Sequence, residues 1–250
     1  MPHWKDTNVI HREMANRVVD ALGVSEPPIA VYYAHEMPEG AFEWNCQGPH
    51  FCPVGRLAAV RKGTPLSIDG ENPGCGGAAF FLGWRREMRP GFEYFLSHDD
   101  EGHGERFKKT PELVRKMLAK RKFVPANGRY CIFQRLEDVP DEVTPEVMTI
   151  FAEPDQIGAL VFLANYDRPG DDAVISPFSS SCGSIVTEPR AQASEPVPKA
   201  VIGMFDVAAR PEIEKNHLTF SAPYSRFLEM VEHIPGSFLE IEPWLNLKNR

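Results

Sequence analysis

Three cysteines stand at the same kind of joint: Cys52 in Phe-Cys-Pro-Val-Gly-Arg, Cys75 in Pro-Gly-Cys-Gly-Gly-Ala-Ala, and Cys182 in Ser-Ser-Cys-Gly-Ser-Ile-Val. Each follows a loop rich in Gly, Pro or Ser and precedes a short apolar stretch able to open a helix. A thiol so placed meets unpaired backbone N–H groups and the positive end of a helix dipole, which favour the thiolate. Thiolates are soft and anionic, and they ligate zinc and iron–sulfur clusters. Backbone N–H groups at such joints can donate to cluster sulfurs and offset their charge. The glycine after Cys75 and after Cys182 lets the backbone come close without a Cβ clash. We therefore expect Cys52, Cys75 and Cys182 to share one metal or cluster, with Cys46 as a candidate fourth metal ligand. Three thiolates on a cubane leave one iron open to a small ligand, by the logic of open metal sites.

Spacing alone does not choose the metal. There is no Cys-x-x-Cys, so neither a zinc knuckle nor a thioredoxin-type pair is read locally, and zinc on three sulfurs stays open beside an iron–sulfur cluster. Cys131, inside an apolar strand, reads as a small buried hydrophobe. His50 is a loop histidine near Cys52. His98 and His103, amid Asp99, Asp100 and Glu101, could hold a metal through mixed nitrogen and oxygen ligands, although a solvated acidic loop is the plainer reading. Arg56 and Arg210 are candidates for an anionic ligand, with structural salt bridges as the plainer reading. No Gly-x-Gly-x-x-Gly, Walker-type loop or Gly-x-Ser-x-Gly is present. Two rival functions remain. One is metal-free thiol redox chemistry through Cys46 and Cys52 or Cys52 and Cys75. The other is small-molecule binding, with structural cysteines lining a pocket and Arg56 or Arg210 holding an acidic group.

The elements that must position these residues mix strands and helices along the chain. Ile10, Met14, Val18 and Leu22 recur every four residues and predict a helix over 8–22, capped by Thr7 or Asn8 and stopped at Gly23. Strands are expected at 29–33, 66–68, 130–134, 147–152, 173–175, 200–205 and 218–222. Helices are expected at 53–62, 78–84, 110–120, 154–165 and 224–234, with Pro53 and Pro111 at first positions. Residues 85–110 read as polar and irregular, 36–51 as loop, and 190–198 as a loop within the domain. The run from Arg115 to Lys122 has helical spacing and reads as a solvated face. This pattern lacks a strict βαβ rhythm, and we expect one α+β domain over residues 1–250, a mixed sheet with short helices packed on it.

A chain of 250 residues with 42% hydrophobic and 25% charged residues is long enough for a real core. Its net charge of −8 argues against general nucleic-acid binding. No apolar run is long enough for a membrane span. The start, Met-Pro-His-Trp-Lys-Asp, lacks the apolar stretch of a secretory signal. Five cysteines are an odd count, so reduced thiols and a cytoplasmic location are expected.

Taken in order, the motifs resemble the family of domain of unknown function 169, also called ArCR. The matching pieces are Pro28-Ile-Ala-Val, Cys52 before the Ala-bearing helix ending at Lys62-Gly63, and Cys75-Gly-Gly-Ala-Ala-Phe-Phe-Leu-Gly83. Others are Glu-Pro-Asp-Gln at 153–156, Ser181-Cys182 with its apolar followers, and Gly203-Met-Phe-Asp with Arg210 and Pro223. The resemblance spans most of the chain and rests chiefly on the Cys-Gly-Gly-Ala-Ala block. It implies that Cys52, Cys75 and Cys182 are the family's cysteines, whereas Cys46 and Cys131 fall outside its pattern. The stretch near 92–110 departs from shorter members. The resemblance brings no settled activity.

Overall fold

The computed structural model describes residues 8–44, 52–98 and 104–250. Eight strands among them join in one mixed sheet: β1 (Ile29–Ala34), β2 (Phe42–Glu43), β3 (Leu66–Asp69), β4 (Tyr130–Arg135), β5 (Val147–Ala152), β6 (Val174–Ile175), β7 (Ala200–Gly203) and β8 (Leu218–Pro223). Their order is β2-β3-β4-β1-β5-β8-β7-β6. Only the two outermost pairs, β2 with β3 and β6 with β7, are parallel. The inner pairs are antiparallel. This is the expected α+β domain.

Both faces of the central strands are covered, because alternate side chains enter two separate cores. On β1 and β5, Ala30, Tyr32, Met148, Ile150 and Ala152 face one way. Ile29, Val31, Val147 and Phe151 face the other. Packed into the first core are α1 (Val9–Leu22), α6 (Pro154–Asn165), α8 (Tyr224–Glu232) and α9 (Glu242–Lys248). The second core receives α2 (Leu57–Arg61), α3 (Gly76–Phe81) and the segment after Cys182, so all three loop–helix cysteines lie on this face. The Glu-Pro-Asp-Gln block opens α6 as a capping box, with the Gln156 side chain accepting from the Glu153 N–H at 2.9 Å and donating to the Gly23 carbonyl at 2.8 Å. That second bond fastens the start of α6 to the end of α1.

Several expectations need correction. The stretch 36–51 is not loop throughout, since β2 forms within it and pairs with β3. The α1 helix is present and stops at Gly23, in the left-handed region at φ 67°. Its buried face, however, is His11, Ala15, Val18 and Leu22, and Ile10 is 61% exposed. Polar bonds set this rotation: Asn8 donates to the Glu137 carbonyl, and the His11 ring sits between the Val139 carbonyl at 3.0 Å and the Tyr224 hydroxyl at 3.1 Å. The stretch 85–110 is not irregular throughout, since α4 (Phe92–Ser97) forms there after Gly91. The loop expected at 190–198 begins as helix, α7 (Glu188–Gln192). Buried Arg190 holds that turn, donating to Glu146 at 2.6 Å and to the Pro125 carbonyl at 2.8 Å. The helix after Thr110, α5 (Pro111–Ala119), is as expected, with the Thr110 hydroxyl accepting from Leu113. No helix among the described residues is long and apolar enough to cross a membrane.

Arg226, fully buried on α8, is compensated by Asp167 at 2.6 Å, Glu229 at 2.6 Å and the Ala164 carbonyl at 2.7 Å. Breaking such a buried pair from one side costs about 3–5 kcal/mol. The Arg226 guanidinium holds the Asp167 carboxyl down at about 2, from an ordinary 3.8. A depressed carboxyl contributes stability above its unfolded value, and that contribution is lost as the pH falls through the folded one. Asp167→Asn should therefore lower stability in urea at pH 6, with the gap to wild type closing between pH 3.8 and about 2. A gap that stays constant down to the acid end would contradict this.

Candidate functional site

Cys182 closes a serine loop and opens a turn of π-helix, Gly183–Thr187, in which every residue is buried. Single π turns inside helical segments are frequent at functional sites. Four hydrogen bonds fix the loop. The Ser180 hydroxyl accepts from the Gly183 N–H at 3.1 Å, and the Ser184 hydroxyl donates to the Ser181 carbonyl at 2.9 Å. Asp206 accepts from the Ser181 N–H at 3.2 Å, and Ser184 accepts from the Met204 N–H at 3.3 Å. These serine hydroxyls thus serve the loop's own backbone and its neighbour strand, not a sulfur. Met204 lies in the left-handed region at φ 66°, uncommon for a side chain of its size, and is fully buried. The strained turn swings Phe205 and Asp206 off the end of β7 towards Cys182.

No side chain fits at residue 183. A Cβ there would lie 2.1 Å from the Ser179 hydroxyl and 2.9 Å from the Phe81 ring. Phe81 belongs to α3, the helix that begins at Gly76 with Cys75 as its extended N-cap residue. Cys52 likewise precedes a helical turn, Pro53–Arg56, with Pro at its first position. That turn runs directly into α2, whose Arg61 is buried, bonded to Glu26 and Glu214 at 2.7 Å each and stacked over Phe151.

Cys52, Cys75 and Cys182 line one cavity of about 840 Å³. The Cys182 thiol donates to the Cys52 sulfur. That contact, with help from the Val54 N–H, lowers the Cys52 pKa against burial and the negative Asp206 and Glu212. The same bond, burial and the nearby Cys52 and Cys75 push the Cys182 thiol well up. Sulfurs from three distant parts of the chain therefore sense one another across this cavity. Among the described residues no three His, Cys, Asp or Glu side chains stand as ligands to a single metal ion. The described cysteines are all free thiols, and none is in a disulfide.

Cys131 lies apart, fully buried in β4, with burial raising its thiol to about 12. Arg56, Arg210 and His98, the other described candidates, do not join the cavity lining. Arg56 stacks over Phe42 and Trp44. Among the described residues Arg210 forms no ion pair of the kind expected and instead donates to backbone carbonyls, that of Lys215 at 2.6 Å among them. His98 bonds the Ser97 hydroxyl at 2.8 Å. Cys46, His50, His103 and the acidic tract 99–101 lie outside the described residues.

Several cavity residues were not singled out in the sequence. From α4 come Phe92, Phe95 and Leu96, whose i, i+3, i+4 spacing after Gly91 was the available signal. Arg121, in the basic run read as solvated, is mostly buried: it donates to the Phe178 carbonyl at 2.7 Å and Ser179 at 3.1 Å, and pairs with Glu188. It ties the segment leading to Cys182 to the end of α5. Glu105, on the strip that doubles back along α4 through bonds of the Glu105 and Lys108 N–H groups to the Phe95 and Leu96 carbonyls, has its carboxyl raised to about 7 by burial and then by Asp206. Arg89 completes the rim, stacked 5.1 Å over Phe95.

A family model described as uncharacterised ArCR, domain of unknown function 169, matches residues 17–233. The chain belongs to this family. No curated protein and no solved structure matches it.

The close fit at residue 183 yields a test. Gly183→Ala should destabilise the protein by about 1–3 kcal/mol, the usual cost of forced overpacking. Urea unfolding measures it. A variant as stable as wild type would show that Phe81 and Ser179 yield freely.

Proposed function

We propose that this member of the ArCR family is a cytoplasmic metal-binding protein that holds an iron–sulfur cluster, of the 4Fe-4S type, through Cys52, Cys75 and Cys182. The observation that carries this reading is their position around one cavity, each at the mouth of a short helical segment. Four-ligand zinc at ~2.3 Å from each sulfur would need sulfurs roughly 3.8 Å apart. The hydrogen-bonded Cys52 and Cys182 sulfurs are as close as one zinc ion would hold them, and a cluster would need those two side chains to part. The donor set also fits: Cys52 lies near Asp206 and Glu212 and Cys182 near Asp206, negative charge that a cationic inorganic core would offset. Free thiols at all four described cysteines suit a reducing compartment.

Bound there, the group would supply a Lewis-acidic iron, without a protein thiolate, facing the cavity. The chain's own part is to exclude water with the surrounding phenylalanines and to bring Cys52, Cys75 and Cys182 to one cavity. Cys46 stays a candidate fourth ligand. Protein purified without oxygen should contain iron and acid-labile sulfide, and Cys75→Ser should lose most of both while keeping its unfolding midpoint near wild type. Iron-free, sulfide-free protein under those conditions would refute the reading.

A second reading, metal-free thiol redox, is favoured by the Cys52–Cys182 contact. Of the pairs named from the sequence, Cys52 and Cys75 are both free thiols, and the pair with Cys46 falls outside the described residues. In this reading a disulfide forms between Cys52 and Cys182 on oxidation, with both thiol protons released and two electrons passing to an oxidant such as hydrogen peroxide. Alkylation followed by mass spectrometry before and after peroxide treatment would show two thiols lost. An unchanged thiol count would exclude it.

A further inference from the structure

The cavity is much larger than a metal centre needs, and the groups on its remaining wall have a definite character. Phe92, Phe95, Phe107 and Phe178 give it an apolar body. Arg89 reaches it with no carboxylate partner among the described residues, its guanidinium stacked on the Phe95 ring. A Cβ on Gly76 would lie 3.4 Å from Arg89 Cδ, so the side chain runs over the Cys75–Gly76 joint. Arg121, the other cation on this wall, is already matched by Glu188.

The two acids on this wall do not cancel Arg89. Asp206 is committed: one oxygen accepts from Ser181, and the other accepts from the Ala208 N–H at 3.1 Å. Glu105 is half-buried beside Asp206 and retains its proton to about pH 7. The wall thus offers one guanidinium in search of an anion, a carboxyl able to donate a hydrogen bond, and aromatic rings between them. A guanidinium binds a carboxylate through paired N–H donors, and a stacked, preorganised one loses little freedom in doing so. A doubly charged phosphate would be repelled by Asp206, whereas a single negative charge matches the one guanidinium on this wall that has no carboxylate partner among the described residues.

We propose that the cavity binds a small amphipathic carboxylic acid, its carboxylate on Arg89 and its apolar body among the phenylalanines, with the far end towards the three cysteines. This deepens the metal-site reading, since such a ligand is what the open coordination position would meet, but the anion site itself stands on Arg89 and the cavity wall.

The test uses the full chain purified without oxygen and three matched probes: 4-phenylbutyrate, 4-phenylbutan-1-ol and 4-phenylbutylamine. Calorimetric titration should show the carboxylate binding about tenfold tighter than the alcohol or the amine, the effect of one charge-assisted pair. Arg89→Gln, at an exposed position that the fold does not depend on, should bring the carboxylate down to the level of the alcohol. Arg89→Lys should retain part of the preference. Equal affinities for the three probes, a tighter amine, no binding of any probe, or a preference that survives Arg89→Gln would each overturn the proposal. Iron and sulfide are assayed on the same samples. Missing iron with the carboxylate preference intact removes the cluster reading alone; full iron without the preference removes this one alone.

Discussion

The Cys182 turn has to pass between the sheet and the helix that follows Cys75, through a gap with no room for a side chain at residue 183. Everything on this face of the molecule depends on that passage. Phe81 forms one side of it and belongs to the helix that Cys75 opens. The Ser179 hydroxyl forms the other, and Arg121 holds Ser179 in place. Strained Met204 then brings Asp206 back across the loop to bond Ser181. Close packing makes these dependencies stiff, because interiors at crystal-like density transmit small displacements instead of absorbing them. The three cysteines consequently keep a fixed relation although 130 residues separate the first from the last.

The opposite face of the sheet carries the burden of stability. There the long helices α1, α6 and α8 cover alternating residues of the central strands, and buried ion networks such as Arg226 with Asp167 fix their ends. The cysteine face has shorter helices, a large cavity and partly protonated or unpaired charges. This division is common in proteins that bind ligands, since a site needs groups that the fold alone would leave unsatisfied.

The sequence made the framework largely legible because its signals were local. Thr110-Pro-Glu, Pro154 through Asn165, and the alternation in Leu218 to Ala222 each encode their element within a few residues. The recurring loop–cysteine–helix joints likewise singled out Cys52, Cys75 and Cys182, which now line one cavity. What could not be read was long-range. His11 turns α1 through partners 128 and 213 residues away. Arg121 is one charge in a basic run until Glu188 and Phe178 arrive from a distant segment. The short α4 helix has too few turns for a clear period, and Glu105 and Arg89 acquire their meaning only from the wall they share.

The most direct measurement is the visible absorption spectrum of protein isolated and kept free of oxygen. Sulfur-to-iron charge transfer should give a broad visible band that fades on chemical reduction and is absent when Cys52, Cys75 and Cys182 are all replaced by serine. A colourless wild-type protein, or one whose colour survives the triple substitution, would contradict the account.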